Sequence, residues 1–155
     1  MTHFFSLFQS INLPPEKYMS ALSAHLNPAL NSSDPTLLKG AYEALAVSAE
    51  GCSDHIRKKY LTTFLKYLDS GIKHSMPAVR NAALYALGQF SEYMQPDICG
   101  YANEILPVLI HYLDSACNQM QANPGKKAPV GLVSFGLFNY FFFNEWGRTK
   151  CLFVA

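Results

Sequence analysis

Histidine and cysteine are the side chains in this sequence best suited to catalysis or metal binding, and their spacing serves neither. His3, His25, His55, His74 and His111 are scattered, and Cys52, Cys99, Cys117 and Cys151 contain no CxxC pair. Asp54 and His55 are adjacent, which on a helix sends the two side chains about 100° apart and rules out a relay between them. Gly125-Lys126 lacks the upstream glycine and the Ser/Thr of a phosphate-binding loop. Ser134 has Leu132 two residues before it where a nucleophile elbow needs glycine. No acid, base, nucleophile or metal constellation converges, so the expectation is a binding protein with neither catalysis nor cofactor.

The cysteines form no disulfide framework, and the opening MTHFFSLFQSINLPP has no cationic n-region, so free thiols in a reducing compartment are expected. The sequon Asn31-Ser32-Ser33 is silent in such a compartment. Arg57-Lys58-Lys59 is a short basic run best read as a solvated helix face. A formal net charge of +1 over 155 residues argues against a polybasic nucleic-acid binder.

The charge is unevenly placed. Residues 1–116 carry 8 Lys/Arg and 10 Asp/Glu, whereas residues 117–155 carry 4 Lys/Arg, 1 Glu and six of the 11 Phe. The first part reads as helical. Ile56, Tyr60, Leu61, Phe64, Leu65 and Leu68 share one face of a 3.6-residue period, as do Val79, Ala82, Ala83, Ala86, Leu87 and Phe90. Asn27-Pro28, Ser33-Asp34-Pro35, Gly51, Gly71, Met76-Pro77 and Gln95-Pro96 punctuate the runs. Asp34 is placed to cap a helix that starts with Pro35.

These helices repeat. At an offset of 42, Pro35 meets Pro77, Leu37 meets Val79, Ala41 meets Ala83, Ala44 meets Ala86, Leu45 meets Leu87 and Glu50 meets Glu92. Tyr18, Met19, Leu22 and Leu26 meet Tyr60, Leu61, Phe64 and Leu68 at the same offset. Tyr67-Leu-Asp-Ser70 recurs as Tyr112-Leu-Asp-Ser115 at an offset of 45. Both offsets lie in the range of about 40–47 residues that marks helical-pair repeats.

At Pro77–Phe90 (PAVRNAALYALGQF) the sequence resembles the second helix of a HEAT repeat. GCSDHIRKKYL (Gly51–Leu61), Val79–Ile98 and Tyr101–Ser115 are similar to the karyopherins of the importin-β family. The resemblance implies an all-α HEAT-repeat α-solenoid of about two and a half repeats, pairing 14–26 with 35–50 and 53–69 with 76–93, then an incomplete third at 97–114. It implies a segment of a nuclear import receptor, found in cytoplasm and nucleus, whose partners are basic cargoes such as histones and ribosomal proteins, together with FG nucleoporins. The amino-terminal repeats that grip Ran-GTP in this family have no counterpart here, so weak or no Ran-GTP binding is expected. A generic HEAT-repeat scaffold is the second reading.

The resemblance also assigns residues. Second helices line the concave, cargo-facing surface in this family, which nominates Lys39, Glu43, Asn81, Tyr85, Gln89 and Glu92 for partner binding. HEAT stacks run a ladder in which an inter-helix aspartate bonds an arginine of the second helix, which nominates Arg80 with Asp69 or Asp114.

Residues 117–155 show no repeat pattern and are expected not to pack as the missing helix of the third repeat. Ala128–Asn144 has no charge across 17 residues, the lower limit for a membrane span. Pro129, Gly131, Gly136, Asn139 and Asn144 weaken it, and lysines or arginines flank both ends. A tail-anchored membrane protein is therefore the weaker alternative.

Overall fold

The computed structural model describes residues 15–122, in which every regular element is helical. Helix α1 spans Pro15–Leu30, α2 Pro35–Gly51, α3 Ser53–Lys59, α4 Leu61–Ile72 and α5 Pro77–Tyr93; a 3-10 turn at Asp97–Tyr101 leads into α6, Ala102–Ala122. Local chemistry sets several boundaries. The Asp34 carboxylate accepts the Thr36 N–H at 2.9 Å, and Pro35 occupies the first turn of α2, where a missing N–H costs nothing. Pro77 plays the same part in α5.

The helices pair as the repeat requires. α1 packs on α2, and α4 packs on α5. The most extensive contact joins the two second helices, α2 and α5, side by side. Alanines make that approach possible: Ala41, Ala46, Ala49, Ala82, Ala83 and Ala86 are all buried. α6 extends the first-helix layer by leaning on α4 through a face carrying Ile105, Leu109, Tyr112 and Ala116. The described residues form an all-α solenoid segment of stacked helix pairs.

Three boundaries differ from the sequence expectation. α1 runs through Asn27-Pro28 to Leu30: Pro28 forfeits the bond to the Ala24 carbonyl, but only Ala29 and Leu30 follow it and the burial of Leu30 holds the end in place. The run Ser53–Asp69 is not one helix. It breaks at Tyr60 (φ −123°, ψ −12°), and α3 tips toward the loop after α5, where Arg57 donates to the Gln95 carbonyl at 2.9 Å and pairs with Asp97 at 3.7 Å. α6 crosses the compositional boundary at 116–117 and continues as helix to Ala122. Polar Cys117–Ala122 forms helix because burial of Ala116 carries the turn forward and nothing in Asn118–Gln121 breaks it.

The centre of the core is aromatic. Phe64 meets the edge of Phe90 at 6.3 Å between centroids and stacks on Tyr60 at 5.5 Å. Tyr42 inserts its ring between α2 and α4, and its hydroxyl donates to the Tyr67 carbonyl at 2.7 Å. Burial first, and the Tyr67 hydroxyl second, push the Tyr42 phenol from 10.0 up to about 12. The folded state therefore holds this proton more tightly than the unfolded chain. The stability it contributes is complete below pH 10 and is lost as pH rises through 12, on the order of 2–3 kcal/mol in all. Chemical denaturation at pH 9, 10.5 and 12 should show that fall, and Tyr42→Phe should flatten the part due to this residue. An unchanged profile in Tyr42→Phe would show that another group governs alkaline unfolding.

Candidate functional site

The second helices place the nominated residues on one face. Lys39, Glu43 and Glu50 are exposed on α2, while Asn81, Tyr85, Gln89 and Glu92 lie on the accessible side of α5, spaced by four, four and three residues. α2 packs along α5, and the carboxylates of Glu50 on α2 and Glu92 on α5 both act on the Tyr93 hydroxyl. Lys39 Nζ lies 3.4 Å from Glu43 Oε1 within α2. Both side chains are half exposed, so this pair contributes little to stability and is easily exchanged for an outside partner.

The far end of the face is acidic. Burial raises the Tyr93 hydroxyl above its ordinary value, and the carboxylates of Glu92 and then Glu50 add to it, with Tyr85 contributing last. Two carboxylates from different helices thus act on one phenol. Glu50 and Tyr93 were not among the residues nominated for this face. The offset of 42 that matches Glu50 to Glu92 carried the signal for Glu50, because lateral packing of second helices turns equivalent positions into neighbours.

The expected aspartate–arginine ladder takes another form. Arg80 Nη1 donates to the carbonyls of His74 (2.9 Å) and Ser75 (2.6 Å), which follow the end of α4. Asp69 instead accepts from Lys73 Nζ at 2.8 Å, one turn along its own helix. Carbonyls at a helix C-terminus lack intrahelical donors, so a guanidinium in the first turn of α5 finds its partners there. Asp114 stands exposed on α6, bordering a shallow hollow with His111, Ser115 and Asn118. Arg80 still staples the α4–α5 loop, through carbonyls in place of a carboxylate. Asp54 pairs with Arg57, and His55 packs its ring on Tyr60. Arg57 is thus used internally, whereas Lys58 and Lys59 are exposed.

A groove of about 420 Å³ separates α4 from α6, floored by Leu65, Leu68, Leu87, Ile105 and Val108 and rimmed by Lys66, Asp69, Lys73 and Glu104. It lies in the first-helix layer, away from the acidic row. Among the described residues no three His, Cys, Asp or Glu side chains converge on a metal-sized space, and no helix is long and apolar enough to cross a membrane. Ala128–Asn144, the stretch considered for a span, lies outside the described residues.

Comparison with known proteins matches residues 35–90 to the HEAT-like repeat family model. Importin-4 of Mus musculus and of Homo sapiens are each 43% identical over 106 residues, 68% of this chain and 10% of each relative. Protein MOR1 of Arabidopsis thaliana is 30% identical over 120 residues, 76% of this chain and 6% of that protein. The chain therefore spans about a tenth of the importin-4 sequences that it matches.

Proposed function

This chain belongs to the HEAT-repeat proteins and is similar to importin-4, and from that premise we propose that it supplies an acidic strip that docks basic segments of cargo proteins during nuclear import. The observation that carries the reading is that Glu50 of α2 and Glu92 of α5 both act on the Tyr93 hydroxyl, to which Tyr85 also lies close. Carboxylates presented with aromatic rings suit lysine- and arginine-rich peptides, since the cation gains both charge and ring-face attraction. Lys39 and Glu43 form the near end of the strip, and Asn81 and Gln89 offer hydrogen bonds between the two ends. The histone and ribosomal-protein type of cargo fits this chemistry. The role is binding without catalysis, carried out in cytoplasm and nucleus.

A strip of two second helices binds weakly, and attraction between exposed charges fades as salt shortens its range to about 8 Å at 0.15 M. A labelled histone-tail peptide titrated against the chain should bind at low salt and weaken markedly at physiological salt. The double variant Glu50→Lys/Glu92→Lys should lower low-salt affinity roughly tenfold, about 1.4 kcal/mol. Equal affinity in the double variant would remove the strip from consideration. Ran-GTP and FG-nucleoporin peptides belong in the same assay, with little or no Ran-GTP binding expected.

The match to protein MOR1, whose name is not that of an importin, favours a coarser second reading, a HEAT scaffold for protein–protein contact. Selective binding of basic peptides over neutral peptides of the same length separates the two.

A further inference from the structure

A cavity of about 270 Å³ lies between the α4–α5 connection and α6. Lys73 and His74 border it from the connection, Arg80 from α5, and His111, Tyr112 and Ser115 from α6. Two of these side chains are cations and two are imidazoles, and among the described residues no carboxylate borders the cavity. Arg80 donates to the His74 and Ser75 carbonyls through Nη1. Its Nε and Nη2 take no part in those two bonds, and that edge of a guanidinium grips an oxyanion with two parallel bonds. Burial raises the Tyr112 phenol above 10.0 and the Arg80 guanidinium pulls it back, so the cation acts on the α6 wall of the cavity. His74 Nδ1 accepts the Met76 N–H at 3.1 Å, which leaves the imidazole proton on Nε2 as a donor. Lys73 pairs with Asp69 at 2.8 Å, but the two side chains are 56% and 40% exposed, so that pair exchanges readily.

We propose that this cavity binds the phosphate of a phosphorylated serine or threonine in a partner protein. A phosphomonoester is the anion that matches the whole set of groups. It carries nearly two negative charges at neutral pH and three acceptor oxygens, enough for the Arg80 edge, the Lys73 ammonium and an imidazole N–H together. A carboxylate, with one charge and two oxygens, leaves part of that set unmet. The shallow hollow along α6 continues from the cavity, since the two share His111, Ser115 and Gln119, and it reaches Asp114 and Asn118. An extended peptide therefore has a path beyond the phosphate, and the Asp114 carboxylate suits a lysine or arginine next to the phosphorylated residue. The site stands apart from the acidic strip: Glu92 is twelve residues along α5 from Arg80, about 18 Å. Arg80 serves twice, stapling the connection through Nη1 and presenting its other edge to the ligand.

The test is fluorescence anisotropy with the full chain and a labelled alanine–glycine peptide whose central phosphoserine lies between two lysines. Its unphosphorylated twin is the reference, because the lysines alone can engage the acidic strip. At physiological salt the phosphopeptide is expected to bind at least about tenfold tighter than the twin, a difference of about 1.4 kcal/mol. Lys73→Glu/His111→Glu changes two exposed side chains, so it should barely move the melting temperature and should erase the preference. Arg80→Gln, which keeps a donor for the His74 and Ser75 carbonyls, should erase it too. Glu50→Lys/Glu92→Lys should leave the preference intact, which separates this site from the acidic strip. Equal affinity of the two peptides overturns the proposal, as does a preference that survives Lys73→Glu/His111→Glu. Inorganic phosphate binding as tightly as the phosphopeptide, or phosphatidylserine vesicles binding more tightly than it, overturns the proposal as well.

Discussion

Replacing Phe64 with alanine is expected to destabilise the fold by about 3–5 kcal/mol. Phe64 is 1% exposed and is the point where α4 meets α5 through Phe90 and where the α3–α4 break is filled through Tyr60. Removing the ring forfeits its burial and leaves a cavity between α4 and α5 where it met Phe90. At about 2–4 °C per kcal/mol for a chain of this size, the melting temperature should fall by roughly 10 °C or more. Thermal unfolding followed by circular dichroism measures it. A fall under a few degrees would mean that the aromatic cluster is peripheral to the stack. Phe64→Leu should recover most of the loss, because it restores volume without the ring contacts.

Gly71→Val is expected to cost about 3 kcal/mol, the upper end of what overpacking does. A Cβ at Gly71 would lie 2.5 and 2.6 Å from the Tyr42 ring carbon and hydroxyl and 2.7 Å from Ala83 Cβ. The ring cannot simply turn aside, since its hydroxyl is bonded to the Tyr67 carbonyl at 2.7 Å. Ala83 lies on α5, so α4 and α5 would have to separate. The double variant Gly71→Val/Tyr42→Leu should regain part of the loss by emptying the crowded corner. Equal stability of Gly71→Ala and the unsubstituted chain would show that α4 slides freely past α2 and α5. Gly40 makes the control, because a Cβ there meets nothing within 4 Å, and Gly40→Ala should be neutral or slightly stabilising.

The amino-acid sequence alone determined the helices, their pairing and their order. Period-3.6 faces, prolines at helix starts and the offset of 42 are local or translational signals, so they survive in one dimension. Gly71 read as a breaker for the same reason, since glycine marks both helix ends and close approaches; its closeness to Tyr42 and Ala83 depends on three helices at once. Arg80 looked committed to a carboxylate because charge complementarity is visible in sequence. Its bonds to the His74 and Ser75 carbonyls depend on where α4 ends, which only the folded chain sets. The break at Tyr60 goes with bonds from Arg57 to Gln95 and Asp97, some forty positions away, which are visible only in the folded chain. Glu50 joined the acidic row only once α2 and α5 lay side by side. Lateral packing turns an equivalence along the chain into a contact in space, and that step belongs to the tertiary structure.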